Sequence, residues 1–215
     1  MIIRFYWFLM PKLSQEQTQQ RRARILDAAE RCFSRDGFHR TTMQAICKDA
    51  GISAGALYLY FPSKEALIEG LTLRDRDEVV AQFAAARGGG DFLALVGALL
   101  QTCIFDQPPG KVALCIQIGA EATRNPAIAQ TMLRFDAEIG DSLRQLLSEA
   151  QAAGQIEPQA PLDDIVAAMT LISDGLFWRR ALDPAFDPAR VLPHILSMVA
   201  TLVRPKFPTR YETAP

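Results

Sequence analysis

The chain has 215 residues, of which 49% are hydrophobic and 22% charged, and its formal net charge is −1. This composition is typical of a folded protein with a sizeable core and excludes a mainly disordered chain. The apolar opening, residues 1–9, is too short to span a bilayer and lacks a small-residue cleavage site, so we expect no signal peptide, no membrane anchor and a cytoplasmic protein.

The charge is unevenly distributed along the chain. Residues 1–64 contain ten Lys/Arg and five Asp/Glu, whereas the remainder contains 13 basic and 19 acidic residues. Affinity for nucleic acid depends on local neutralisation of phosphates rather than on net charge. The first third of the chain is therefore the candidate nucleic-acid-binding region.

The first three predicted helices are short and clearly delimited. An amphipathic helix over 18–36 ends at Gly37, and Thr41-x-x-Gln44 fits a capping box that opens a second helix through Asp49. A tight turn at 50–52 follows, and Ser53 caps a third helix over 54–61. Two short helices joined by a tight glycine-containing turn indicate a helix-turn-helix.

Helix signals continue to the end of the chain, and no convincing strand pattern interrupts them. We predict further helices over 63–86, 91–105, 112–123, 126–153, 162–182 and 189–203. The sequence thus predicts an all-α protein of about nine helices. The last helix is apolar around most of its circumference, which favours burial against a second subunit; a fully internal core helix is the alternative.

Residues 37–67 resemble the signature of the TetR/AcrR-type repressors. The matching positions are Gly37-Phe38-His39-Arg40-Thr41-Thr42 and Ile46-Cys47-x-x-Ala50-Gly51-Ile52-Ser53-x-Gly55-Ala56-Leu57-Tyr58-x-Tyr60-Phe61-x-Ser63-Lys64-Glu65-x-Leu67. Cys47 departs from the alanine usual in that family, and both residues are small. With the helix pattern, the resemblance implies an N-terminal arm (1–17), a helix-turn-helix domain (18–62), a ligand-binding and dimerisation bundle (63–205) and a short tail (206–215).

The candidate DNA-binding residues lie at the starts of the second, third and fourth helices. Small residues at 53–55 would let the third helix approach DNA closely, tyrosine hydroxyls can donate to phosphates, and an apolar side chain can touch a thymine methyl. The resemblance adds the start of the second helix. The full set is Thr42, Gln44, Ser53, Ala54, Gly55, Tyr58, Leu59, Tyr60 and Lys64.

The resemblance also implies a homodimer formed through the last two helices (162–182 and 189–203) and a mostly apolar effector cavity in the bundle. Apolar or aromatic residues on the middle helices are the candidate lining, and core packing is the alternative for each of them. These candidates are Leu99, Cys103, Phe105, Gln117, Phe135, Met169, Phe177 and Trp178. Effector binding would tilt the fourth helix and release operator DNA.

Two other functions are alternatives to a ligand-responsive repressor. Cys103 and Cys115 flank a proline-rich loop and could sense oxidation, but no cation nearby would lower a thiol pKa. A helical enzyme would need an active-site motif, and the sequence contains no HExxH, GxSxG, phosphate loop or dinucleotide fingerprint. With no CxxC pair and no histidine cluster, we expect no metal, cofactor or disulfide framework.

Overall fold

The computed structural model describes residues 14–86 and 91–206. Within these ranges it contains nine α-helices, one π-helix (Gln101–Phe105) and no strand beyond a single bridge between Ile156 and Pro205. The α-helices are α1 (Gln15–Asp36), α2 (Met43–Ala50), α3 (Ala54–Tyr60), α4 (Lys64–Ala85), α5 (Phe92–Leu100), α6 (Pro109–Ala122), α7 (Pro126–Ala152), α8 (Leu162–Leu182) and α9 (Pro188–Val203). The prediction of an all-α fold is confirmed.

Several expectations concern residues outside the described ranges. The apolar opening over 1–9 and most of the tail predicted from 206 onward belong to this group. We call α1–α3 with their connections, residues 14–62, the head, and residues 63–206 the body.

α1 begins three residues earlier than predicted. Ser14 and Gln17 form a capping box in which each side chain accepts from the other residue's backbone N–H. Such a box satisfies two N–H groups that have no partner within the helix. At the other end, Gly37 has φ 80°, a conformation that glycine adopts without a steric penalty.

The predicted capping box of Thr41 and Gln44 is wrong. Thr41 is buried, and its hydroxyl donates to the carbonyl oxygens of Cys32 and Gly37, 3.1 and 2.8 Å away. Thr42 caps α2 instead, with Oγ1 accepting from the Ala45 N–H at 3.1 Å. Two adjacent threonines can both serve as a cap, and burial of the first one decides between them.

Most helices of the body begin within one residue of the predicted positions, with one clear exception. Ser63, Asp91 and Asn125 each accept backbone N–H groups at the starts of α4, α5 and α7. The Pro108-Pro109 pair was expected to lie outside a helix starting at 112, but α6 begins at Pro109. Proline fits the first helical position because that N–H would have no helical partner.

The head and the body share one hydrophobic core. Side chains from α1 to α4 pack in a single cluster, which includes the fully buried Phe33, Ile46, Leu57, Phe61 and Leu67. Leu114 and Ile118 from α6 and Ile128 from α7 join the same cluster. A second cluster, made by α4, α5 and α7–α9, fills the far end of the body. The head is therefore packed directly on α4, α6 and α7.

Candidate DNA-binding surface and effector cavity

α3 presents a small polar and apolar surface to solvent while its other face anchors it. Leu57 is fully buried, whereas Tyr58 and Leu59 are 52% and 82% exposed. Ser53 caps the helix by accepting from the Ala56 N–H, and nothing lies within 4 Å of a Cβ built on Gly55. The start of α3 can thus approach a flat surface or a groove closely.

The start of α2, the helix that precedes α3 in the chain, is also open to solvent. Thr42 and Gln44 are exposed, and the Gln44 side chain makes no hydrogen bond with any described residue; the cap of α2 is Thr42. Ser53 and Ala54 are exposed as well, while Tyr60 is only partly exposed and packs on the core. The structure thus leaves most of the candidate DNA-binding side chains accessible.

Lys64 has a structural role that the sequence did not reveal. Its Nζ donates to the carbonyl oxygens of Phe38 and His39 at 2.8 and 3.3 Å and lies 4.5 Å from the centre of the Phe38 ring. An ammonium group has three N–H donors, so one remains for a phosphate. Lys64 ties α4 to the loop between α1 and α2.

The arginines of α1 also hold the head together. Arg24 donates to the carbonyl oxygen of Ala50 at 3.1 Å, and Arg31 forms an ion pair with Asp49 at 2.6 Å. Arg22 stacks over the ring of Phe61 at 4.5 Å. These three arginines therefore fix the positions of α2 and α3 relative to α1.

α6 contacts the head at the same loop that Lys64 holds. Gln117 Oε1 accepts from the Phe38 N–H at 3.0 Å, and His39 Nε2 lies 3.1 Å from Glu121 Oε2. Arg124 hydrogen-bonds Glu121 and thereby holds the pKa of that carboxyl below its ordinary value. Gln117 was predicted to bind the effector, but its side chain faces the head. The hydrogen bond that holds it there joins residues far apart in the chain, so the sequence did not reveal it.

The body contains a cavity made of two adjoining compartments. The first is about 190 Å³ and lies between α4, α5, α7, α8 and α9; the second is about 290 Å³ and lies between α1, α4, α6, α7 and α8. The first is lined mainly by apolar and aromatic side chains, whereas the second combines such side chains with charged ones, among them Glu30, Asp75 and Lys111. Together they reach the lower part of the range of roughly 300–1,000 Å³ that is typical of small-molecule sites.

The structure brings five of the eight candidate effector residues to this cavity. Leu99, Cys103, Phe135, Met169 and Phe177 line one or both compartments. Phe105 is buried in a separate small cluster with Leu176 and Ile195, and Trp178 is 53% exposed on the outer face of α8. The sequence did not reveal which way Phe105 and Trp178 point, because an apolar side chain suits a cavity, a core or an interface equally well.

Cys103 and Cys115 both line the second compartment. Burial raises the pKa of the Cys103 thiol, whose Sγ donates to Gln82 Oε1 at 2.9 Å, and it raises that of Cys115 to about 11. Because the thiolate is the form that reacts with oxidants, these shifts disfavour the oxidation-sensing alternative.

Nowhere in residues 14–86 and 91–206 do three or more His, Cys, Asp or Glu side chains gather so as to hold a metal ion. No described helix has both the length and the apolar character needed for a membrane span.

Known families match both parts of the chain. Residues 25–71 match the family model described as bacterial regulatory proteins, tetR family, and residues 92–204 match the model of the BetI-type transcriptional repressor, C-terminal. The first match covers α2 and α3, the candidate DNA-binding helices. The second covers α5 to α9.

Individual proteins agree with these models. The chain is 37% identical over 156 residues to the HTH-type transcriptional regulator UidR of Escherichia coli, covering 73% of this chain and 76% of that protein. It is 28% identical over 195 residues to the HTH-type transcriptional repressor Rv1474c of Mycobacterium tuberculosis, covering 91% and 99%. These relatives are transcriptional regulators rather than enzymes, in agreement with the prediction of a non-catalytic protein.

Solved structures share the fold. Salmonella enterica GusR superimposes with a TM-score of 0.75 at 29% identity, covering 86% of this chain and 96% of that one. A TetR transcription regulator from Haloarcula marismortui has a TM-score of 0.74 at 16% identity, covering 86% and 99%. The residues of α2 and α3, the matched family models and these relatives lead to one assignment: the chain belongs to the TetR family and is a DNA-binding regulator of transcription.

Proposed function

We propose that this regulator is a repressor that binds a palindromic operator as a homodimer and that a small, mostly apolar effector releases it. Its operator is DNA inside the cell, so we infer that it acts in the cytoplasm. The candidate reading surface consists of Thr42, Gln44 and the exposed residues of α3. A protein dimer with two-fold symmetry requires a DNA site with matching symmetry, whose half-sites lie about 34–36 Å apart.

The outer face of α8 supports the dimer. Leu171, Trp178 and Leu182 are 71%, 53% and 58% exposed, and together with Gly175 they follow a helical stripe. Met198 of α9 is exposed as well, so α9 is not enclosed within a single chain. Large apolar side chains aligned on one helix face are typical of a protein interface.

The position of α4, which contacts the head at one end and lines the cavity at the other, is the observation that supports a ligand response. Its first residue, Lys64, holds the loop of the head, and its second half, including Val79, lines both cavity compartments. An effector that fits only one position of α4 would shift the population of head positions. Two heads held at the wrong separation lose the gain that comes from binding together.

Selection of bound duplexes from a random pool tests DNA recognition, and fluorescence anisotropy with the recovered site then tests release by a panel of small molecules. We expect a palindromic site. A Cys103→Phe variant, which fills the junction of the two compartments, should keep operator binding but lose release, while the size-matched Cys103→Ser should keep both. Purified protein that is monomeric and indifferent to duplexes at low ionic strength would overturn the proposal.

A further inference from the structure

α3 carries none of the side chains that proteins commonly use to hydrogen-bond guanine. Its seven residues, Ala54–Tyr60, consist only of Ala, Gly, Leu and Tyr. Guanine presents two acceptors, N7 and O6, to the major groove, and arginine or lysine donates to both of them. A helix without a cation, an amide or a carboxylate has to recognise bases in another way.

The most exposed large apolar side chain of residues 14–86 and 91–206 lies on this helix. Leu59 is 82% exposed, whereas Leu57, two positions earlier, is fully buried and holds the helix on the core. Gly55 lies one turn before Leu59 on the same face, and nothing lies within 4 Å of a Cβ built on it. The preceding turn therefore leaves Leu59 uncovered.

The major groove offers one apolar group against which a leucine can pack, the C5-methyl of thymine. The other base edges there are hydrogen-bond donors and acceptors. A leucine placed over these polar atoms removes them from water without replacing their hydrogen bonds, which costs free energy. Packed against a methyl group, the leucine buries apolar surface on both sides of the contact. In the groove, Leu59 therefore favours a thymine over every other base edge.

Gln44 has the only side-chain amide in α2 and α3. It is exposed, and its side chain makes no hydrogen bond with any described residue. A glutamine amide can donate to N7 of adenine and accept from its N6 amino group at the same time. Because adenine pairs with thymine, Gln44 and Leu59 select the same kind of base pair.

The lysine of α2 is placed for a phosphate rather than for a base. Lys48 lies in the last turn of α2, whereas Gln44 lies in the first turn. The first helix of a helix-turn-helix crosses the phosphate backbone, and the second helix lies in the groove. A cation at the far end of α2 therefore positions the protein on DNA without reading the sequence.

We propose that each half-site of the operator is read at A·T pairs: a thymine methyl packs against Leu59, and an adenine forms paired hydrogen bonds with Gln44. The inference rests on the proposed function, since it takes α2 and α3 as the reading surface. It adds the chemical class of the bases that this surface recognises. A guanine edge opposite Leu59 is rejected, because its acceptors would lose water without gaining a donor.

Uracil substitution tests the methyl contact, because uracil differs from thymine only in lacking the C5-methyl. Each thymine of the operator recovered from the random pool is replaced in turn by uracil, at the equivalent position of both half-sites. At one position the affinity measured by fluorescence anisotropy should fall by about fivefold to twentyfold, the effect of losing one buried methyl per half-site. An operator in which no thymine is sensitive to this change would overturn the inference.

Variants assign that methyl to Leu59. Leu59→Ala should bind the thymine duplex more weakly than the parent does, and it should bind the thymine and uracil duplexes equally. Leu59→Met keeps an apolar side chain of similar volume and should keep the sensitivity to uracil. Leu133→Ala, at an exposed leucine of the body, is the control and should behave like the parent. A Leu59→Ala variant that still distinguishes thymine from uracil would contradict the assignment.

Salt dependence distinguishes a base contact from a backbone contact. Leu59→Ala should leave the slope of log K against log salt unchanged, because the contact that it removes involves no phosphate. A smaller slope in this variant would show that the substitution disturbs phosphate contacts and would count against the methyl contact.

Substitution of adenine by 7-deazaadenine tests Gln44. This base lacks the N7 acceptor but keeps its pairing with thymine. With the modified base at one position of both half-sites, the parent should bind about tenfold more weakly, and Gln44→Ala should bind both duplexes equally. A parent that is indifferent to 7-deazaadenine at every adenine would contradict the role of Gln44.

Two further comparisons separate the possible failures. Both side chains are exposed, so Leu59→Ala and Gln44→Ala should leave the Tm unchanged, and a clear fall would indicate a structural role instead. A palindromic site that is insensitive to uracil would leave the proposed function standing and overturn the inference. A site that is sensitive to uracil but lacks two-fold symmetry would support the reading of thymine and contradict the palindromic operator.

Discussion

The head and the body of this regulator use their polar and apolar groups in different ways. In the head, Arg24 and Arg31 are engaged with a backbone carbonyl and a carboxylate of the head itself, and Lys64 at the start of the body holds the loop between α1 and α2. In the body, the stripe of α8 that includes Leu171 is open to solvent, and a cavity lies between the helices. The helices of the head are thus fixed by internal contacts, whereas the body retains an open apolar face and a cavity that a partner or a ligand would fill.

This difference indicates how the two parts divide the work. A reading surface must keep a fixed shape, because a displacement of about 1 Å weakens contacts that depend on orientation. A sensor must instead have at least two conformations of similar free energy, which requires incomplete packing in one of them. The cavity and the open face of α8 in the body, next to a head whose helices are held together by arginine side chains, fit that division.

The largest expected effect comes from breaking the open face of α8. Leu171→Glu places a charge in the proposed interface, so the protein should become monomeric and its affinity for the palindromic operator should fall by about a hundredfold or more, the typical gain from linking two heads. Sedimentation velocity and fluorescence anisotropy would measure the two quantities.

Leu133→Glu is the matched control for that substitution. Leu133 lies on α7 and is 67% exposed, close to the 71% of Leu171. This variant should remain dimeric and bind the operator normally. Equal loss of dimer in both variants would show that α8 and α9 do not form the interface by themselves.

Much of the fold could be predicted because helix ends are local features. Ser53 was identified as a cap from its sequence neighbours, and it caps the expected third helix. A cap needs only residues within one turn. The exception, Thr41, failed because its partners, including the Cys32 carbonyl, lie in the preceding helix.

The candidate sites could be predicted less completely, because their geometry is long-range. Gln117 contacts Phe38, 79 positions earlier in the chain, and no local pattern announces that hydrogen bond. Five of the candidate effector residues meet at the cavity only because folding brings α5, α7 and α8 together, and in the sequence an apolar side chain suits a core equally well.

A second prediction probes how tightly the head is attached to the body. A Cβ built on Gly70 of α4 would lie 2.8 Å from Leu26 Cδ2 and 2.8 Å from Phe61 Cε1, so Gly70→Ala overfills the shared core. We expect a loss of about 1–3 kcal/mol in the free energy of unfolding, as is usual for overpacking.

Gly55→Ala is the control, measured by denaturant unfolding alongside Gly70→Ala. Nothing lies within 4 Å of a Cβ at Gly55, so stability should be unchanged or slightly raised by the better helix former. Operator affinity should fall in this variant if the start of α3 approaches DNA closely. If Gly70→Ala were as stable as the parent, the core would be more adaptable there than its contacts indicate.

The smallest effect concerns Lys64, where the head's internal bonding and its DNA contact meet. Lys64→Met keeps the aliphatic stem over Phe38 but removes the donors to the Phe38 and His39 carbonyls, so operator affinity should fall by about threefold to tenfold, the equivalent of roughly 1 kcal/mol.

The salt dependence distinguishes the two roles of this side chain. If the third N–H of Lys64 binds a phosphate, the slope of log K against log salt should shrink by about 0.9 for each half-site. Lys64→Arg retains the charge and should retain the parent slope. A weaker Lys64→Met variant with an unchanged slope would assign Lys64 to the loop alone, and the charged contacts to DNA would then have to come from other residues of the head.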